Sequence, residues 1–153
     1  MTTATHIEPI RLRISDAGRQ VLVEPEDSDK FVLYVEEAIH ACRIMKEYEE
    51  LFHKQLQYLK NYLGKWACEH KDKVNKTFLT LHGGRMLFLV VTKNSTFDPE
   101  LEDSLTDLDL NVARDPECSQ INLDIQAVPQ CQEEGYVSFC NPEWLLEFSM
   151  PDA

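Results

Sequence analysis

The chain has 153 residues, of which 43% are hydrophobic and 27% are charged, and its formal net charge at pH 7 is −12. This length is typical of one domain, so we expect residues 1–153 to form a single domain with a mobile lead-in at residues 1–9. The longest apolar stretch, Met86–Val91, is too short to cross a membrane, and the first ten residues lack the basic and apolar segments of a signal peptide. A cytoplasmic location is therefore expected.

The negative charge lies almost entirely in the second half of the chain. Residues 77–153 carry 3 basic and 14 acidic side chains, whereas residues 1–76 carry 12 basic and 13 acidic ones. The second half would repel a phosphate backbone, which argues against nucleic-acid binding. Three interpretations of this acidic surface remain open: a solvated surface, a docking face for a basic protein partner, or a weak cation site.

The first structured segment is predicted to be a β-hairpin. Apolar and charged residues alternate over Ile10–Ile14, as in a half-exposed strand. Residues 15–18 have the composition of a turn, and residues 20–23 return as a second strand.

A long helix is predicted to follow over residues 29–66, capped by Asp27 or Ser28. Residues 30–60 contain no Gly, Pro, Asn, Asp, Ser or Thr, the residues that favour turns or compete with helical hydrogen bonds. Its apolar residues recur at alternating steps of four and three, the 3.5-residue period of a coiled-coil seam. They are Phe31, Val35, Ala38, Cys42, Met45, Phe52, Leu56, Leu59, Leu63 and Trp66.

The length of this helix suggests a homodimer. A straight helix over residues 31–66 would be roughly 54 Å long, whereas a domain of this size has a diameter of about 40 Å. The helix must therefore overhang, bend or end early near Gly64. An overhanging apolar face needs a cover, and a second copy of the chain is the simplest one. We expect Phe52, Leu56 and Leu59 to contribute to that interface.

The second half is predicted to contain a ββαβ unit over residues 77–128. Two β-rich runs, residues 77–81 and 85–92, flank the turn sequence His82-Gly83-Gly84. A helix then begins with Asp98 as its N-cap, and an alternating strand follows at residues 121–125. Beyond it we expect a short helix or turn at residues 133–139, and a short helix capped by Asn141 that runs to about Phe148.

These elements predict an α+β fold, in which a small mixed sheet, made of two hairpins and a βαβ unit, packs against one long amphipathic helix. A doubly wound α/β sheet is less consistent with the sequence, because the hairpins interrupt the alternation of strands and helices.

The predicted acidic helix is the first candidate site. Glu100, Asp103 and Asp107 share one helical face, which would be solvated, meet a basic protein partner, or bind Mg²⁺ with ligands from a second element. Leu110 points away from the apolar stripe of this helix and is a further candidate for a partner contact.

Signals for catalysis are weak. The five cysteines include no Cys-x-x-Cys pair, so zinc-ribbon and thioredoxin-type motifs are absent. Cys140 precedes a predicted helix N-terminus, where a thiol pKa falls, but a catalytic role also needs a histidine such as His82. The Cys68-Glu69-His70 cluster has no evident partner. We therefore assign no catalytic residue, no metal-binding residue and no cofactor.

Two functions remain. The first is a non-enzymatic protein–protein interaction module that self-associates through the long helix and presents an acidic surface. The alternative is a small enzyme or ligand-binding domain with its pocket at the C-terminal end of strand 86–91.

Overall fold

The computed structural model describes residues 8–15, 20–39, 41 and 49–149. Residues 1–7 of the predicted lead-in, residues 16–18 of the turn predicted at 15–18, and residues 40 and 42–48 of the predicted long helix lie outside the described residues, as do residues 19 and 150–153. The elements are β1 (Ile10–Ile14), β2 (Val21–Val23), α1 (Ser28–Ile39), α2 (Glu49–Glu69), β3 (Val74–His82), β4 (Arg85–Thr92), α3 (Pro99–Arg114), β5 (Leu123–Val128), α4 (Glu133–Tyr136) and β6 (Leu145–Ser149).

The strands form one mixed sheet in the order β2-β1-β6-β3-β4-β5. β1 pairs antiparallel with β2 and parallel with β6, while β3 pairs antiparallel with both β6 and β4. β4 and β5 are parallel and are joined through α3. The α+β fold predicted from the sequence is confirmed.

β4 lies at the centre of the packing on both faces of the sheet. Its alternate residues Met86, Phe88 and Val90 belong to the large core that includes residues of α1, α2 and α3. Leu87 and Leu89 face a smaller core, which includes Tyr136 of α4. The apolar run of β4 therefore reflects burial on both faces.

The prediction of one unbroken helix over residues 29–66 is wrong. α1 ends at Ile39, Ala41 lies in a turn, and the long amphipathic helix is α2 alone. The Lys60 ammonium lies 4.4 Å from the centroid of the Phe31 ring, although an unbroken helix would separate the two residues by about 43 Å. Folding back buries the apolar faces of both helices in one core, and this tertiary gain outweighs the local helical propensity.

The C-terminal prediction is also corrected. Residues 145–149 form strand β6 rather than a helix, and this strand pairs with β1 on one side and β3 on the other. Asn141 does accept a hydrogen bond from the backbone N–H of Glu143, but it caps a turn before the strand. Burial of Leu145, Leu146 and Phe148 on both faces of the sheet decides the conformation.

The predicted turn between β3 and β4 and the predicted N-cap of α3 are both confirmed. Gly83 and Gly84 connect β3 and β4 with φ angles of 61° and 78°, a region that residues with a Cβ adopt only with strain. Asp98 caps α3 by accepting hydrogen bonds from the backbone N–H groups of Glu100 and Leu101. None of the helices within the described ranges is long and apolar enough to cross a membrane.

Candidate functional site

A cleft of about 200 Å³ opens where β4 and β5 end and α3 begins. Parallel strands bring their carboxyl ends to one edge of a sheet, and the connecting helix starts above them, so open α/β units commonly hold their ligands there. Thr92 at the end of β4 and Val128 at the end of β5 both line this cleft. The alternative function considered from the sequence, a small enzyme or ligand-binding domain, has its pocket at this end of strand 86–91.

The cleft has a negative polar wall. Lys73 Nζ lies 3.2 Å from Asp98 and 3.0 Å from Glu100, so its charge is balanced by two carboxylates. The hydrogen bonds from Lys73 and from the N-terminal amides of α3 lower the pKa of Asp98. Glu102 also lines the cleft. This arrangement disfavours an anionic ligand and favours an uncharged or cationic one.

The rim and floor of the cleft are apolar. Phe97 lies at the rim with 74% of its surface exposed, the largest exposure among the large hydrophobic residues that the structure describes. Leu101 and Val128 form a buried floor. An exposed aromatic ring beside a concave apolar surface is typical of a binding site.

The outer edge of β5 adjoins the cleft, and no strand within the described residues pairs with it. The backbone N–H of Met86 donates to the carbonyl of Asn122, with Met86 opposite Leu123 in the parallel register. Because the groups of a parallel ladder alternate in direction, Leu123, Ile125 and Ala127 direct their own N–H and C=O groups away from β4. The side-chain amide of Gln126 donates to the carbonyl of Ala127, and β5 ends the sheet on this side.

The opposite edge of the sheet is closed by side chains. The backbone N–H of Val21 in β2 donates to Asn61 Oδ1 at 2.6 Å, and Gln57 Nε2 donates to the carbonyl of Val21 at 3.0 Å. Both side chains come from α2. An edge capped in this way does not offer these groups to another strand, whereas the edge of β5 presents a row of them.

The residues predicted to form a helical dimer interface are buried within the single chain. Phe52, Leu56 and Leu59 are 0%, 2% and 0% exposed. All three belong to the large core beneath α2. Their 3.5-residue spacing reflects packing on the chain's own sheet, and within the described residues α1 and α2 fold back on each other rather than forming one overhanging helix.

The three acidic residues of α3 that were predicted to act as one face have different neighbours in the structure. Glu100, Asp103 and Asp107 are all exposed, but Glu100 is paired with Lys73. Asp107 lines a groove between α2 and α3. Leu110 is 43% exposed on the same helix. Within the described ranges no group of three or more His, Cys, Asp or Glu side chains is arranged to hold a metal ion.

A side-chain network that sequence reasoning missed joins α2 to α3. His70 Nε2 lies 2.8 Å from Ser104 Oγ, His70 Nδ1 lies 2.7 Å from the carbonyl oxygen of Trp66, and Trp66 Nε1 donates to Ser104 Oγ at 3.1 Å. His70 and Ser104 are 34 positions apart. No local spacing connects them, and only the i, i+4 relation of Trp66 and His70 was visible in the sequence.

The thiol of Cys140, which the sequence analysis weighed but did not assign as catalytic, lies in an apolar environment. Burial raises its pKa to about 12, with a further contribution from the charge of Glu133. Its Sγ donates a weak hydrogen bond to the carbonyl of Tyr136 in the smaller core. These surroundings disfavour the thiolate, which is the nucleophilic form of cysteine.

These features define an α+β domain with one open sheet edge, an adjoining cleft and a polar network between two helices. Comparison of the chain with protein-family models, with curated proteins and with solved structures found no match.

Proposed function

We propose that the protein is a protein–protein interaction module that binds an extended, basic segment of a partner along the outer edge of β5. The contrast between the two sheet edges carries this proposal: Asn61 and Gln57 close the edge of β2, while the edge of β5 is open. An added strand would hydrogen-bond to Leu123, Ile125 and Ala127, and main-chain bonds of this kind supply much of the affinity in strand addition.

The cleft supports a specific position for one side chain of the partner. Ala127 and Val128 belong both to β5 and to the cleft wall, so a strand paired with this edge passes the cleft opening. A long cationic side chain would place its apolar stem against Phe97 and Leu101, and its charge near Glu102. Cation–π contact with the exposed Phe97 ring favours the same side chain.

The charge distribution supports a basic partner over a second copy of this chain. Residues 77–153 carry a net charge of −11 from 3 basic and 14 acidic side chains. Two such surfaces repel each other, while a lysine- or arginine-rich segment is attracted and steered toward the edge. A homodimer formed through β5 would contradict this part of the proposal.

The test is a binding titration with fluorescent peptides of alternating lysine and valine, and with a matched glutamate–valine series. We expect the basic peptides to bind and the acidic ones to fail. Ala127→Pro removes an outward N–H and should abolish binding. Gln126→Ala is the control, because its own N–H faces β4 and its side chain only covers the carbonyl of Ala127. It should bind at least as well as the wild type.

Equal binding by Ala127→Pro, in protein whose circular dichroism is unchanged, would contradict strand addition. Light scattering of the free protein at high concentration tests the second-copy outcome. A monomer agrees with the proposal. A dimer that the Ala127→Pro variant no longer forms would show that a second copy of the chain, and not a basic partner, binds to the edge of β5.

A small-molecule ligand in the cleft is a second candidate function. The observation that favours it is the location of the cleft at the carboxyl ends of the parallel strands β4 and β5. The ligand would be uncharged or cationic and would contain an apolar group. A thermal-shift screen should find a stabilising amine or uncharged compound whose effect is lost in Phe97→Ala and Glu102→Gln but kept in Asp103→Asn, and anions should have no effect.

A further inference from the structure

We propose that Ser104 is a nucleophile toward uncharged aromatic esters, with His70 as its general base, in the groove between α2 and α3. This site is separate from the β5 edge and the cleft. It rests on the network between His70, Ser104 and Trp66 and on the shape and composition of the groove around it.

The hydrogen bonds determine which nitrogen of His70 carries the proton. The carbonyl oxygen of Trp66 can only accept, so His70 Nδ1, 2.7 Å away, is the protonated nitrogen. Nε2 of the neutral imidazole is then an acceptor, and the Ser104 hydroxyl at 2.8 Å donates to it. A hydroxyl donating to an imidazole that a third group orients is the arrangement that activates serine in nucleophilic catalysis.

Trp66 contacts both groups that would take part in the reaction. Its Nε1–H donates to Ser104 Oγ at 3.1 Å and so favours the negative charge that develops on this oxygen as its proton leaves. Its ring stacks on the imidazole with centroids 4.3 Å apart and an interplanar angle of 20°. The same stacking holds the imidazole in place.

The groove provides room and a surface for an aromatic substrate. Its volume is about 460 Å³, and the three residues of the network line it. Tyr58 and Tyr62 also line it, with their ring centroids 6.0 Å apart. Lys65 is outnumbered there by Glu69 and Asp107. Flat aromatic rings and a net negative charge select an uncharged ester over an anionic one.

The reaction would proceed in two balanced halves. His70 Nε2 takes the Ser104 proton while Oγ forms a bond to the ester carbonyl carbon, and the bond to the leaving oxygen then breaks. The imidazolium returns the proton to that oxygen, which releases an alcohol or phenol and leaves an acyl group on Ser104. A water molecule then gives a proton to His70 and attacks the acyl carbon. The bond between that carbon and Ser104 Oγ breaks, the imidazolium returns the proton to Oγ, and a carboxylic acid is released.

The competing interpretation is that these hydrogen bonds only tie α2 to α3. Acetylation by p-nitrophenyl acetate separates the two, with the modified serines located by peptide mass spectrometry. We expect the wild-type protein to acetylate Ser104 faster than Ser119, an exposed serine whose Oγ accepts a hydrogen bond from Gln55 Nε2, by about 100-fold, the usual contribution of a positioned base. This comparison uses no variant and so does not depend on how a variant folds.

Variants extend the test. Ser104→Ala should abolish acetylation at this position and the associated p-nitrophenol release, and His70→Gln should lower Ser104 acetylation by about 100-fold. Trp66→Phe should lower it by a smaller factor. A Ser104 rate no higher than that of Ser119 would overturn the proposal, as would an unchanged rate in His70→Gln with native circular dichroism.

Discussion

The ammonium of Lys60 lies over the ring of Phe31, 4.4 Å from its centroid. This contact joins α2 to α1 and shows that the two helices fold back on each other. Lys60 is only 4% exposed, and desolvation lowers its pKa to about 8 from the ordinary value of 10.5. The attraction between the cation and the ring offsets part of the cost of burying the charge.

The burial of Lys60 predicts a specific pH dependence of stability. Between pH 8 and pH 10.5 the unfolded chain holds the lysine proton and the folded protein does not, so the free energy of unfolding rises with pH across this interval. Lys60→Met removes the buried charge and should raise the free energy of unfolding at pH 7 by roughly 1–3 kcal/mol. Urea denaturation at pH 7 and pH 10.5 checks this, and a gain that does not shrink at the higher pH would contradict it.

Leu56 distinguishes a core residue from a dimer contact. It is 2% exposed, while Leu51 on the same helix is 39% exposed. Leu56→Ala should lower the free energy of unfolding by about 2–5 kcal/mol through lost burial and the cavity left behind, and Leu51→Ala is the matched control with a much smaller effect. Urea denaturation gives the stabilities and light scattering gives the mass. A change of mass at unchanged stability would instead indicate an interface.

At Gly64 the helix α2 packs closely against the sheet. A Cβ at this position would lie 2.5 Å from Cγ2 of Val21 in β2. Gly64→Ala should therefore lower the free energy of unfolding by about 1–3 kcal/mol through overpacking. Lys65→Ala, on the exposed neighbour, is the control. Adding Val21→Ala should recover part of the loss, and simple additivity of the two changes in a double-mutant cycle would show that they do not clash.

The capped edge of β2 can be tested by amide hydrogen exchange. The N–H of Val21 donates to Asn61 Oδ1, so Asn61→Ala should make this amide exchange about 10-fold faster or more. Gln57→Ala should have a smaller effect, because Gln57 bonds to the carbonyl of Val21 and to Asn61 Oδ1 but not to the N–H of Val21. If Asn61→Ala left the exchange of Val21 unchanged, the capping of this edge would be wrong.

Local signals in the sequence were sufficient to predict the structure where the backbone conformation depends on neighbouring residues. The turn at Gly83 and Gly84 and the Asp98 cap of α3 depend on neighbouring residues, and both were predicted. Residues 145–149 became a strand because β1 and β3, distant in sequence, offer pairing on both sides. The two-helix arrangement likewise depends on burial against the sheet, which outweighs the continuous helical propensity of residues 30–60.

The candidate sites also differ in whether they depend on neighbouring residues or on residues distant in sequence. The location of the cleft was predictable, because a parallel βαβ unit places its strand ends and helix start together. The open edge of β5 was not, because it depends on the order of all six strands. Nor was the pairing of His70 with Ser104, which requires α2 and α3 to pack side by side.

The most direct test of the proposed function is amide exchange along β5, measured by NMR with and without the alternating lysine–valine peptide. In the free protein Asp124 and Gln126, whose N–H groups face β4, should be protected, while Ile125 and Ala127 exchange quickly. Bound peptide should protect Ile125 and Ala127 and leave Asp124 and Gln126 unchanged. Peptide binding that leaves Ile125 and Ala127 as fast as before would contradict strand addition at this edge.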